Sequence, residues 1–205
     1  MSEYEYEPIR GLPGSLPAGE HILWQGSPDA WTFARSALGT RWIAGYFAAL
    51  VVWAMVRGTL MGVVMTAGLG AVAVALALIF AVLVARTTVY TITSRRVVLR
   101  IGVALSKCIN LPLSQLASAD LRDRGQGFGD ISLGLAARSN LGYLMLWPHA
   151  RPLRFASPQP MLRALPAAAE VAGVLARATA AVQPVQQRVT KPEAQPSLGS
   201  REAVA

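Results

Sequence analysis

Two histidines, His21 and His149, one cysteine, Cys108, and the acids Asp120, Asp123 and Asp130 are the side chains in this 205-residue chain with the best claim to chemistry. None of them stands in a pattern that chemistry needs. An acid–base or nucleophilic centre requires converging donors and acceptors, and neither histidine has a recognisable partner in the sequence. "PHARP", Pro148 to Pro152, reads as a rigid turn with a solvated imidazole. In "DLRDRGQGFGD", Asp120 to Asp130, arginines alternate with carboxylates, the mark of a solvated, self-paired loop. Its "GQGFGD" is rich in glycine but lacks the Lys-Ser/Thr of a phosphate loop. It also leads into a strand, so no helix dipole backs its amides. Cys108, beside Lys107, reads as an inert, partly buried thiol. A single cysteine makes no internal disulfide, and with two isolated histidines it builds no metal site. The chain is expected to be no enzyme and to hold no cofactor or metal.

The charge that does accumulate is basic. The net charge is +8, and residues 86–182 carry 12 basic against 4 acidic side chains. A pI near 10.5 would suit nucleic acid, but the cations are spread singly with few aromatics between them, so no stacking groove forms. Nucleic acid is therefore excluded as a partner, and an anionic bilayer is the simpler one. Candidate lipid or partner contacts are Arg95, Arg96 and Arg100 in "RTTVYTITSRRVVLRIG", Arg86 to Gly102, and Trp147, His149 and Arg151 in "LWPHAR". Arg95 and Arg96, side by side, are read first as a hairpin turn held at the headgroup layer, each cation contributing about 1 kcal/mol.

These cations need an element that brings them to a membrane. Trp42 to Ala85 is 44 residues with one charge, Arg57. About 20 apolar residues cross a bilayer, so the run suits two spans, about 41–57 and 61–85, turning at "VRGTLMG". Arg57 at the turn can snorkel to the far headgroups. Trp42, Tyr46 and Trp53 sit toward the ends of the first span, as interfacial anchors do. Gly62, Gly68, Gly70 and a series of alanines let the second helix approach a neighbour closely. That neighbour is the first helix, or another membrane protein, a second copy of this chain included. A competing topology has one span, Gly58–Ala85, with the first helix lying in the interface. The positive-inside bias favours the hairpin, with both termini cytoplasmic. The acidic start, "MSEYEYEPIR", has no basic region leading into an apolar stretch and is not expected to be a signal peptide.

After Arg86 the periodicity changes to two, the strand signal. Expected strands are Thr87–Thr93, Arg96–Ile101, Lys107–Pro112, Gln115–Leu121, Phe128–Leu135, Gly142–Trp147 and Pro152–Ala156. Many short strands without intervening helices argue an antiparallel sheet or small barrel. Val171, Val174, Leu175, Ala178 and Val182 then form one helical stripe, expected to cover the strands. The organisation expected is an N-terminal cytoplasmic segment (1–40), a membrane hairpin (41–86), a barrel with its helix (87–182) and a polar, Pro- and Gln-rich disordered tail (183–205).

Glu20, Trp24 and Gly26 in "PAGEHILWQGSPD", followed after the apolar run by Tyr90, Thr91, Ile92, Thr93, Arg95 and Arg96, resemble the motif of the bacterial pleckstrin-homology-like membrane proteins. The resemblance covers about residues 17–182. It implies an α+β membrane protein with a PH-like, seven-stranded, partly open antiparallel barrel capped by a C-terminal helix. The inositide-binding basic run of eukaryotic relatives is absent. A narrower resemblance lies in "EYEPIRGLPGSLPAGEHILWQGSPDAWTFA" and "GYLMLWPHARPLRF", which look like the photosynthetic-complex assembly proteins of purple bacteria. That implies partners in the photosynthetic reaction centre and the core light-harvesting subunits. The alternative is a membrane-organising or anionic-lipid-binding module with no such client.

Overall fold

A computed structural model of the chain describes residues 11–12, 14–136 and 142–182. The tail expected to be disordered and the "ARSN" turn at 137–140 lie outside the described residues.

The first strand, β1 (Ile22–Gly26), precedes the apolar run and was not anticipated. Asp29 then starts α1 (Ala30–Ser36) by accepting a 2.8 Å hydrogen bond from the Thr32 amide, satisfying an amide the helix leaves free. After a break at Leu38-Gly39 the chain turns by 59° into α2 (Thr40–Val56). A tight turn at Arg57-Gly58 returns it as α3 (Leu60–Thr87), 28 residues and about 42 Å long. The two arms pack closely. A methyl group on Gly70 would lie 2.7 Å from the Phe47 Cβ, so only glycine allows this approach.

The expected pair of membrane spans is supported only for the second arm. α3 alone is long and apolar enough to cross a bilayer, and only 17% of its most apolar stretch is buried inside the protein, unlike a soluble core helix. α2 has 17 residues and reaches span length only when taken together with α1 across the bend.

Thr88 leads straight from α3 into β2 (Val89–Thr93), followed by β3 (Arg96–Ile101) and β4 (Lys107–Pro112). A 3-10 turn at Leu113–Gln115 passes the chain to β5 (Leu116–Gly125) and β6 (Phe128–Leu135). A short helix α4 (Tyr143–Leu146), β7 (Met161–Leu165) and α5 (Ala168–Val182) complete it. All pairings are antiparallel, in two sheets ordered β1-β2-β3-β4 and β5-β6-β7.

The class is therefore α+β with PH-like antiparallel sheets and a C-terminal helix, but the strands divide four and three and two expected strands are wrong. Gly142–Trp147 is mostly α4, and Pro152–Ala156 is a loop. Their places are taken by β1 and β7. Tyr90, Ile92 and Leu99 of the first sheet meet Ile131, Leu133 and Leu162 of the second, and Val171 and Leu175 of α5 close one end. Each such side chain removed from water contributes about 1.5–3 kcal/mol. The expected stripe on α5 is the buried one: Val171, Leu175 and Ala178 are in the core, with Val174 and Val182 packed at its edge.

Candidate functional site

The motif residues turn out to bind one another. Glu20, just before β1, is buried and accepts hydrogen bonds from Arg96 Nε at 2.9 Å, Arg96 Nη2 at 3.1 Å and Thr93 Oγ1 at 2.7 Å. Burial alone would raise its carboxyl, but the bonds from Thr93 and Arg96 and the charges of Arg96 and Arg95 outweigh burial and hold it below its ordinary value. The Trp24 ring folds over Gly26, where a Cβ would stand 2.5 Å from the indole. Glu20, Trp24, Gly26, Thr93 and Arg96 are thus a strap that holds β1 on β2.

Arg95 is exposed, and Arg96 is committed to Glu20. Their turn lies at the end of β2 away from α3, five residues and roughly 16 Å along the strand. It is Arg100, paired across from Val89, that stands at the helix base. There Arg86 and Arg100 line a cleft of about 340 Å³ with Gly102 and Ser106.

His149 corrects the sequence reading outright. It is 1% exposed, not a solvated turn residue. Its Nδ1 lies 2.7 Å from the Tyr90 hydroxyl and its Nε2 3.3 Å from Thr88 Oγ1, while its ring packs against Phe33 of α1. Burial, with the charge of Arg163, pushes the imidazole down to about 3, so it is neutral at physiological pH. The Arg163 amide donates to the Tyr90 oxygen at 3.3 Å. The neutral imidazole carries one N–H, so it donates in one of its contacts with Tyr90 and Thr88 and accepts in the other. Burial holds the Tyr90 hydroxyl well above its usual range.

Next to this pair, Arg163 is buried and donates to the Ala150 carbonyl at 3.2 Å. Burial lowers its guanidinium, while the Asp130 charge opposes the shift. Asp130 is buried too, and so was wrongly expected in a solvated loop. It accepts from Arg124 Nε at 2.7 Å and from the Ala164 amide at 2.8 Å. A tyrosine–histidine pair can move protons, but here both groups are sealed from water. The network pins β2, β6, β7 and the 147–160 loop to the foot of α3.

Around that foot lies an aromatic and basic collar. The Trp147 ring stacks on Phe80 of α3 with centroids 5.6 Å apart, while half of the side chain remains exposed. Phe80 precedes the end of α3 by seven residues, about 10 Å of helix. Leu144 of α4 and Leu153 and Phe155 of the loop that follows are exposed beside it. Trp31 on α1 and Trp42 at the start of α2 are also exposed, and Arg35 and Arg41 lie beside them. Tryptophan and arginine at one level of an apolar helix pair are what a bilayer interface selects. Arg151, by contrast, is engaged by Asp120 at 3.0 Å and by Gln159 at 3.1 Å. Of the six expected contact residues the collar therefore includes Arg100 and Trp147. Sequence reading missed Trp31, Arg35, Arg41 and Arg86 as members.

The bacterial PH domain family matches residues 40–179. The chain belongs to that family. β1, with its strap to the bacterial PH domain, lies before the matched region. A Rhodobacter capsulatus protein described as an uncharacterized 23.7 kDa protein in the puhA 5′ region is 39% identical over 210 residues, covering 98% of each chain. No solved structure matches.

Proposed function

We propose that this bacterial PH domain protein is a non-enzymatic, membrane-anchored assembly factor for the photosynthetic reaction centre and its core light-harvesting complex. The observation that carries this reading is the full-length similarity to the Rhodobacter capsulatus protein of the puhA 5′ region. The resemblance of Gly142–Phe155 to the photosynthetic-complex assembly protein PuhB of purple bacteria supports it. So does the placement of that segment, whose Trp147 is laid on α3 with apolar side chains projecting beside it.

In this reading α2 and α3 cross the cytoplasmic membrane as a hairpin with both termini inside. The PH domain is then held against the inner face, and the collar meets client subunits as they enter the bilayer. Exposed aromatic and apolar side chains at one level suit a contact with membrane-protein helices. The test is deletion of the gene in its own host, with reaction centre and core antenna followed in isolated membranes. Slowed accumulation, rescued by the wild-type chain but not by W147A together with L153S, is expected; unchanged levels and kinetics would overturn the proposal.

A second reading, an anionic-lipid-binding or membrane-organising module without a photosynthetic client, is favoured by the cleft lined with Arg86 and Arg100. It predicts a deletion phenotype that is not confined to photosynthetic membranes.

A further inference from the structure

Two cavities meet at the corner where α1 passes into α2. The first, about 320 Å³, is lined by Arg35, Arg41 and Arg124 with Thr32, Ser36 and Gln126. It has no carboxylate in its wall. The tip of the β5–β6 hairpin carries Arg124 to this place, where one edge of its guanidinium is taken by Asp130. Arg35 and Arg41 have no ion-pair partner among the described residues. The Ser36 hydroxyl on the same wall is buried with no hydrogen-bond partner.

The second cavity, about 350 Å³, shares Arg35 and Arg41 with the first. It runs between the helices over Trp31, Ala44, Val74 and Leu78, a mainly apolar surface. A polar, cationic chamber thus opens into an apolar groove along membrane helices. Each has a volume in the range of ligand sites.

We infer that this corner binds one anionic phospholipid, its phosphate among Arg35, Arg41 and Arg124 and an acyl chain in the groove over Ala44 and Leu78. The arginines supply forked, charge-assisted donors matched to phosphate oxygens, and Thr32, Ser36 and Gln126 add neutral donors. A free phosphate would use the chamber and leave the groove empty, whereas a lipid fills both. The inference requires α3 to lie in a membrane but does not depend on the assembly role.

The experiment uses the full chain in nanodiscs of phosphatidylcholine, titrated with phosphatidylglycerol and read by native mass spectrometry of the ejected protein. Wild type should retain one phosphatidylglycerol in preference to phosphatidylcholine. Arg35→Gln and Arg41→Gln should each weaken retention about fivefold, the equivalent of about 1 kcal/mol per surface cation. Arg57→Gln, with the same charge change at the far end of the hairpin, should leave it unchanged. Ala44→Phe, which fills the groove and keeps every arginine, should weaken retention as well. The double lysine variant R35K/R41K should recover part of the preference, which separates charge from misfolding.

Equal losses for Arg57→Gln and Arg35→Gln would reduce the effect to general surface attraction and overturn the site. So would displacement by millimolar inorganic phosphate with no response to Ala44→Phe, since the ligand would then be a soluble anion. An unchanged lipid result alongside a normal deletion phenotype would sink the assembly proposal and leave this one standing.

Discussion

Glu20 and His149 both lie far in sequence from the groups that define them, and both carry their energetics in protonation. Glu20 sits in a strap with Arg96 and Thr93, 76 and 73 residues away. Removing Arg96 leaves a buried carboxylate with two of its three side-chain hydrogen bonds gone, so Arg96→Gln should cost about 1–3 kcal/mol of stability. Because the folded carboxyl is depressed, its contribution is full above the ordinary value of 4.5 and is lost as pH falls through the lower folded value. Thermal unfolding in detergent should show wild type and Glu20→Gln converging in acid and separated at neutral pH. A constant separation across that range would remove the strap from the account.

His149 acts over a higher window. Its folded value of about 3 lies below the ordinary 6.5, so the unfolded chain binds the extra proton between them. Stability from this group is therefore intact above pH 6.5 and declines by up to about 1.4 kcal/mol per pH unit below it. His149→Gln should be less stable than wild type at pH 7.5, yet lose less on going to pH 5. Parallel losses for the two proteins would contradict the buried neutral imidazole.

Among the elements, those legible in the sequence were the ones with one wet face. α5 showed its stripe because Glu170 and Arg177 face water opposite Val171 and Leu175. β3 and β4 announced themselves through the turns that bound them. β7, "MLRAL", is buried at all five positions, so no alternation survives to mark it as a strand. "GYLMLW" is as apolar as a strand, yet it forms α4 and a loop: Leu146 enters the core, Trp147 lies on Phe80 of α3 and Leu144 faces outward. The collar was half legible. Local spacing gave Arg100 and Trp147, but only the fold brings Trp31 and Arg35 to the same level.

β1 was missed for the opposite reason, since it is short, precedes the membrane run and finds its partner far downstream, with Gly26 opposite Tyr90 and Ile22 opposite Thr93. It supplies the edge of a four-stranded sheet and the carboxylate that neutralises Arg96. A fragment of residues 86–182 therefore lacks a strand, and a detergent-free preparation should aggregate or show broad amide resonances. Joining residues 14–28 to it through a flexible linker should restore dispersed spectra. Good dispersion without the added strand would show β1 to be dispensable.

For the whole molecule, the question is how much of it the bilayer holds. α3, at about 42 Å, exceeds the roughly 30 Å of hydrocarbon. In the proposed topology its last turns reach the headgroup layer, where α1, Trp147 and the PH domain gather. α2, at about 26 Å, is slightly short for a span, and in the proposed hairpin Arg41 and Arg57 at its two ends would snorkel to the two interfaces.

The proposed hairpin places both arms in one slab, and three sets of contacts between them support it. Phe47 lies on Gly70, Thr59 and Ala54 meet Gly62, and Arg41 and Ala44 stand level with Val74 and Leu78. Laying α2 in the interface while α3 crosses would break the Phe47–Gly70 contact and expose the Gly70 notch to lipid. A hairpin also puts Arg35, Arg41, Arg86 and Arg100 on one side and Arg57 alone on the other, in keeping with the positive-inside bias. A reporter active only after translocation should accordingly be active when inserted at residue 59 and silent when fused after residue 205. Gly70→Leu, which wedges the arms apart, should lower the signal at 59 without activating the one at 205. Two silent fusions in the wild-type chain would mean that the hairpin stays inside, and a signal only at 205 would mean that α3 crosses alone.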